Sequence, residues 1–279
     1  MRDKILEAVN TQQNLPPLPD ILIKLEQIID DPDSCIADIS DLIKTEPVLS
    51  GRLMKLANSV FIGGGREKAE DLDNALGRLG LKMVLDLAYT LELPKVSSKT
   101  KAINQVSFWK HSFATAVCSK SLSEFFEQSD ESRDNAYLAG LMHDIGILVF
   151  LNFFPKEYSE FLAKAKDADQ PLEVLEIETF EIDHAEVGAK YIEKWWPIAP
   201  QVVSLVREHH QPLKKGSQEV VALSNELLNY QNVSNGVGPK HSEEEPDFAQ
   251  MIGVSEERMN DIKEEVGNSL DQVSSIFEN

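Results

Sequence analysis

The chain has 279 residues, 42% hydrophobic and 27% charged, an ordinary balance for a globular protein that buries a full core. Its formal net charge of −20 argues against nonspecific binding to nucleic acid or to an anionic membrane, because like charges repel across the whole surface. No run approaches the roughly 18 apolar residues of a membrane span, and the opening MRDKILE lacks the apolar stretch of a signal peptide, so a cytoplasmic protein is expected. Cys35 and Cys118 are too few for a disulfide framework and read as buried free thiols in helical segments.

The predicted elements are helical nearly throughout. Residues 1–13 form a first helix. Apolar residues then recur at three- and four-residue steps in Ile21, Leu22, Leu25, Ile28 and Ile29, in Ile36, Ile39, Leu42 and Ile43, and in Val48, Leu49, Leu53 and Leu56. Pro16, Pro17, Pro19, Pro32 and Pro47 separate these helices, Asp33 or Ser34 is placed to cap the third, and the glycines at 63–65 make a turn after the helix that Pro47 opens. Asn58 and Ser59 terminate that helix. Arg52, Arg78 and Lys82 could form a partner or ligand site, although solvated helix faces account for them better.

Further on, a helix is expected over 107–126, and residues 136–151 form an apolar segment with His143 and Asp144 in its middle. Asp183 and Glu186 have the spacing of a capping box, which puts His184 in the first turn of a helix that continues to Trp195. Trp195 and Trp196 could wall a pocket or belong to the core. Pro197 starts the next helix, and His209 and His210 sit near its end, before Pro212. Residues 231–247 read as an acidic loop. Beyond it Met259, Ile262, Val266, Leu270, Val273 and Phe277 repeat along one helical face, with Ser255 as cap. Residues 243–279 carry eleven acidic and two basic groups. That helix either packs on its own domain or is presented to a partner.

The chemistry-bearing residues are the histidines. His143 and Asp144 stand side by side in YLAGLMHDIGILV (137–149), where burial is costly for imidazole and carboxylate without partners. A metal ion is one such partner and an ordinary hydrogen-bonded pair is the other. His111 lies 32 residues earlier, His184 lies 41 residues later, and His209–His210 close the run; only His241 falls outside it. Four of them sit beside apolar helical segments, where solvent-facing histidines would not concentrate.

The order His, His-Asp, His, His-His resembles the HD superfamily of metal-dependent phosphohydrolases. With LPPLP (15–19), KTEPVLSGRLMKLANS (44–59) and NALGRLG (74–80), the nearest match is the HDOD family, the HD-related output domains of bacterial signalling proteins. The resemblance covers residues 14–212. It implies an all-α, HD-like bundle with an N-terminal helical subdomain (14–95), an HD-like half (96–212) and a C-terminal helical extension (213–279). It implies that His111, His143 and Asp144 bind a first metal, with Asp144 able to bridge to a second held by His184, His209 and His210. Asn225, in VVALSNEL (220–227), stands where active HD enzymes place a further aspartate, and a neutral amide oxygen should hold a divalent cation less well. Five imidazoles and one carboxylate favour iron, manganese, nickel or zinc, one or two ions, over magnesium or calcium.

Two departures bear on function. Ile147 stands where the related HD-GYP phosphodiesterases have a lysine, and Gln211, Pro212 and Leu213 follow His210 without a Gly-Tyr-Pro motif, so a cyclic dinucleotide is not supported as substrate. The expected function is a regulatory signalling module that acts through a protein partner or a ligand and keeps a vestigial metal site. The alternative is a metal-dependent phosphohydrolase acting on a phosphate-containing small molecule. A third reading keeps the histidines only as a polar core. The six predicted ligands should converge on one pocket.

Overall fold

The computed structural model describes residues 1–11, 18–58, 68–92, 102–126, 130–211, 219–238 and 246–277. Residues 12–17, Ser59, the glycines at 63–65, Pro212, Leu213, His241, the acidic residues 243–245 and Glu278 lie outside them, as do the side chains of Leu56, Asp271, Val273 and Phe277. Every regular element among the described residues is an α-helix, which makes the protein all-α as its periodicity predicts. The chain divides into two compact units, residues 16–96 and residues 1–15 with 97–278.

After α1 (Arg2–Thr11), the smaller unit holds α2 (Asp20–Asp30), α3 (Ile36–Lys44), α4 (Pro47–Ala57), α5 (Leu72–Leu79) and α6 (Leu81–Glu92). Its core is the apolar stripe of each helix, with Leu22, Leu25, Ile39, Ile43, Leu49, Leu53, Leu76 and Val84 fully buried. Asn58 ties down the link after α4: its side chain donates to the Ala69 carbonyl at 3.2 Å and accepts from the Ala69 amide at 2.7 Å. The cap of α3 differs from expectation. Cys35, not Asp33 or Ser34, is the N-cap, because its amide donates to Asp38 Oδ2 at 2.8 Å in a capping box. Cys35 is therefore exposed, and only Cys118 is buried. Arg52 and Arg78 are half-buried and Lys82 is exposed.

The larger unit adds to α1 the helices α7 (Gln105–Phe125), α8 (Asp130–Met142), α9 (Ile145–Phe153), α10 (Pro155–Ala165), α11 (Leu172–Phe180), α12 (His184–Trp195), α13 (Pro200–Arg207), α14 (Val220–Tyr230), α15 (Phe248–Ile252) and α16 (Glu256–Phe277). The long α7, capped by Asn104 Oδ1 on the Val106 and Ser107 amides, packs against α8, α14 and α16. Around it, α9 meets α10 and α12, and α12 meets α1, α11 and α13. Two glycines permit close approach. A Cβ at Gly140 on α8 would lie 2.8 Å from the backbone of Ala116 on α7, and one at Gly146 on α9 would lie 1.8 Å from the His184 carbonyl oxygen.

Several boundaries move. The next helix after α12 starts at Pro200, in the first helical position where a fixed φ is favourable, and Pro197 stays in the connection. The Ser255 hydroxyl accepts from the Arg258 amide at 3.2 Å, as its predicted capping role requires. Met259, Ile262 and Val266 are buried, and α16 packs on α7 of its own unit. Residues Asn135–Phe153 have the length and mean hydropathy, 1.5, of a membrane span, but 83% of that window is buried inside the protein and the helix breaks within it. The break is at His143–Asp144. Neighbours on a continuous helix point about 100° apart, so a turn is needed for both side chains to face one centre.

Candidate metal centre

The six predicted ligands gather in the larger unit from four places. His111 projects from α7, His143 and Asp144 from the α8–α9 turn, His184 from the first position of α12, and His209 and His210 from the turn after α13. Asp183 presents His184 by capping α12, accepting from the Glu186 amide at 2.8 Å. All but the half-buried His210 are buried.

Asp144 is the centre of the arrangement. Its Oδ2 lies 3.3 Å from His143 Nε2 and 3.9 Å from His111 Nε2, and its Oδ1 lies 3.3 Å from His184 Nε2 and 3.8 Å from His209 Nε2. Two three-residue groups result, His111–His143–Asp144 and His184–His209–His210, each with ligand atoms within 4.8 Å of one another. His111 Nε2 and His143 Nε2 are 3.2 Å apart, and those of His184 and His210 are 2.9 Å apart.

The outer ring nitrogens decide what the inner ones can do. Nδ1–H of His111 donates to the Val233 carbonyl at 2.6 Å, that of His143 to Gly140 at 2.7 Å and that of His209 to Val206 at 2.7 Å. With the proton on Nδ1, each neutral ring turns an Nε2 lone pair inward. Lone pairs facing across 3.2 Å repel unless a cation or proton lies between them, and buried His209 Nε2 has no hydrogen-bond partner. Nitrogens about 3 to 3.5 Å apart are what a shared transition-metal ion at roughly 2.1 Å from each would require. The residues fit a metal ion on these grounds.

Charge in the site follows from burial and proximity. Burial and the neighbouring His143 push the His111 imidazole down to about 4. Burial likewise holds His209 and His210 well below the usual histidine range, reinforced by the adjacent imidazoles. Burial opposes charge on His184 too, but Glu176 and Asp144 outweigh it and hold its proton well above that range. Burial works against the Asp144 carboxylate, yet His143 and His184 keep it ionised well below its ordinary range.

Asn225 on α14 reaches the centre, its Oδ1 3.0 Å from His111 Nε2. Ile147 is fully buried in α9. Trp195 and Trp196 do not line the centre: Trp195 Nε1 donates to the Val9 carbonyl at 2.8 Å and Trp196 packs edge-on to Tyr191.

Sequence reasoning missed three groups. Buried Glu176 on α11 accepts from the His184 amide at 2.8 Å and its Nδ1 at 2.6 Å, and Tyr158 donates its hydroxyl to the same carboxylate. Such carboxylate–histidine contacts orient metal-ligating imidazoles. A glutamate eight residues before His184, among other acidic residues, gives no local signal. Asn235 Nδ2 donates to Asp144 Oδ2 at 2.6 Å from a stretch that reads as plain loop. Glu173 flanks His210, with Oε2 3.8 Å from its Nδ1. Beside the centre a cavity of about 290 Å³ opens between His210, Glu173, Glu226, Phe248 and Met251.

Comparison with known proteins agrees with this architecture. A protein from Treponema pallidum (strain Nichols) without an assigned function is 26% identical over 197 residues, which are 71% of this chain and 38% of that protein. The chain thus spans well under half the length of that curated relative. Among solved structures, an HDOD domain protein of unknown function from Geobacter sulfurreducens aligns with a TM-score of 0.73 at 23% identity, covering 100% of this chain and 97% of that one. A protein from Shewanella amazonensis SB2B, provisionally named a phosphohydrolase, aligns with a TM-score of 0.71 at 21% identity over 98% and 97% of the two chains. One from Marinobacter aquaeolei VT8, provisionally named a signal transduction protein, aligns with a TM-score of 0.73 at 21% identity, over 100% of this chain and 66% of that one. At these identities the structures share the fold alone. The HDOD domain pattern itself matches residues 15–212, and the chain belongs to the HDOD domain family.

Proposed function

We propose that the protein is a regulatory module of bacterial signal transduction, in which a metal-binding centre answers a ligand and the response is passed to a protein partner. His111, His143 and Asp144 would hold one ion and His184, His209 and His210 a second, with Asp144 between them. When bound, a divalent transition metal supplies Lewis acidity and lowers the pKa of a coordinated water. The chain's own groups orient the site, exclude bulk water and fix which ring nitrogen carries the proton.

One observation carries the preference for regulation over turnover. Asn225 presents a neutral amide oxygen 3.0 Å from His111 Nε2, where a carboxylate would add the charge that binds a catalytic ion tightly. The cavity supports the same reading. Its described lining includes Glu173 and Glu226 and no lysine or arginine, so a phosphate would meet carboxylates there unless bound ions reversed the local sign. The second reading, a phosphohydrolase acting on a phosphate ester or nucleotide, is favoured by the complete His/Asp set and by His210 at the cavity wall.

Elemental analysis of protein purified without a metal-affinity step, followed by assay against bis(p-nitrophenyl) phosphate and nucleotides with added manganese, iron, nickel or zinc, separates the two. The regulatory reading expects one or two bound ions and little turnover. Turnover that Asp144→Ala abolishes would establish the enzyme instead. Protein that takes up none of these ions would leave the histidines as a polar core.

A further inference from the structure

The family pattern ends at residue 212, yet residues well beyond it touch the centre. His111 faces such residues at both ring nitrogens: Nδ1–H donates to the Val233 carbonyl at 2.6 Å, and Asn225 Oδ1 lies 3.0 Å from the Nε2 lone pair. Asp144 Oδ2 accepts from Asn235 Nδ2 at 2.6 Å. Asn225 lies on α14, whereas Val233 and Asn235 belong to a short and tightly shaped stretch that follows it. Asn232 turns it through the left-handed region at φ 61°, and the Val233 amide donates back to the Leu228 carbonyl at 3.0 Å. Gly236, at φ 74°, turns it again, and Val237 anchors it as a fully buried side chain.

Asn235 is engaged at both ends of its amide. Its Oδ1 accepts from the Val237 amide at 3.0 Å, which leaves only the NH₂ end to face Asp144. The orientation of the amide is therefore set by the hydrogen bonds themselves. Asp144 Oδ2 is also the oxygen that faces His111 and His143, while Oδ1 faces His184 and His209. An N–H donor on Oδ2 restrains rotation of the carboxylate and so holds each oxygen toward its own pair of imidazoles. The same stretch, through Val233, keeps the His111 proton on Nδ1 and its lone pair inward.

We propose that residues 232–237 are a strap that positions the first half of the centre, with Asn235 as the positioning residue for Asp144. This rests on the metal-centre reading above for its consequence, though the Asn235–Asp144 contact itself does not need an ion. Because the strap runs from α14 toward the C-terminal helices, occupancy of the first half-site and order in this segment are coupled. A ligand favours whichever state of the strap it binds better.

Two measurements on the full chain test this. In the metal-free protein, hydrogen exchange at the amides of 233–237 is compared among wild type, Asn235→Ala, Asp144→Asn and the double variant. The expected result is a several-fold acceleration in each single variant and no further acceleration in the double. Independent, additive effects, or none, would overturn the proposal. In the second, cobalt(II) is titrated while its visible absorption is followed. Wild type should show two binding steps, and Asn235→Ala should weaken one step by about 10- to 100-fold, as loss of an outer-shell partner does, with an altered cobalt spectrum and the other step unchanged. Two unaltered steps and spectra in Asn235→Ala would also overturn it. If wild type binds no cobalt, the metal reading fails, and the exchange cycle alone then decides whether Asn235 positions Asp144.

Discussion

His184 Nε2 and His210 Nε2 lie 2.9 Å apart, and His184 Nδ1 is bound 2.6 Å from the buried Glu176 carboxylate. One contact fixes how the other works. With Nδ1–H committed to Glu176, only a proton or a cation on the inner side can relieve two imidazole nitrogens brought so close.

Divalent metal should therefore stabilise the folded chain, since the unfolded chain has no such site. At one hundred times the dissociation constant the gain is about 2.7 kcal/mol, or roughly 5 to 10 °C in melting temperature for a chain of this size. Thermal melts of chelator-treated protein with manganese, iron, nickel or zinc measure it. Identical melting with and without each ion would count against the centre.

Glu176→Ala should destabilise the protein by about 3 kcal/mol, because it leaves the His184 amide and Nδ1 and the Tyr158 hydroxyl without their buried acceptor. Tyr158→Phe removes one donor and should cost about 1 kcal/mol. Urea denaturation of both variants gives the ranking, and equal costs would refute this account of the network.

Gly146→Ala should cost about 3 kcal/mol or more, as the added Cβ would sit 1.8 Å from the His184 carbonyl oxygen and force α9 off α12. It should also lower metal content, since His184 moves with that backbone. Wild-type stability together with wild-type metal content would show that the helices adjust freely.

Metal-free protein should lose stability as the pH falls from about 6.5 to about 4. His111 has a folded pKa of about 4, and His209 and His210 are also depressed, so in this window the unfolded chain takes up protons that the folded chain refuses. His184, raised in the folded state, is protonated in both states here and adds no slope. His111 alone would account for about 3 kcal/mol. Denaturant midpoints at pH 6.5 and pH 4.5 in chelator test the sign, and a midpoint that rises on acidification within this window would contradict it.

Asn225→Asp should bind a divalent ion roughly ten-fold more tightly than wild type, because a carboxylate replaces a neutral oxygen beside His111. Isothermal titration with manganese measures the change. Weaker binding would mean that Asn225 does not face the ion.

Much of the site was legible because its ligands are chemically conspicuous. An imidazole and a carboxylate in an apolar segment are costly to bury alone, and the capping role of Asp183 that presents His184 is a local pattern of four residues. The partners of those ligands were not legible. Glu176, Val233 and Asn235 act through distance in space, and Val233 does so through a carbonyl that any residue would carry.

The amino-acid order alone determined that the chain is helical, through apolar spacing near 3.6 residues, and which residues could bind metal, through side-chain chemistry. Tertiary structure decided the rest. It broke the apolar segment at His143 so that adjacent side chains could share one centre, placed Cys35 at an exposed cap position, and brought Asn225, Val233 and Asn235 onto His111 and Asp144 from more than eighty residues away in sequence. Helix periodicity comes from local backbone geometry, whereas the orientation of a buried ring depends on which acceptor the fold places behind it.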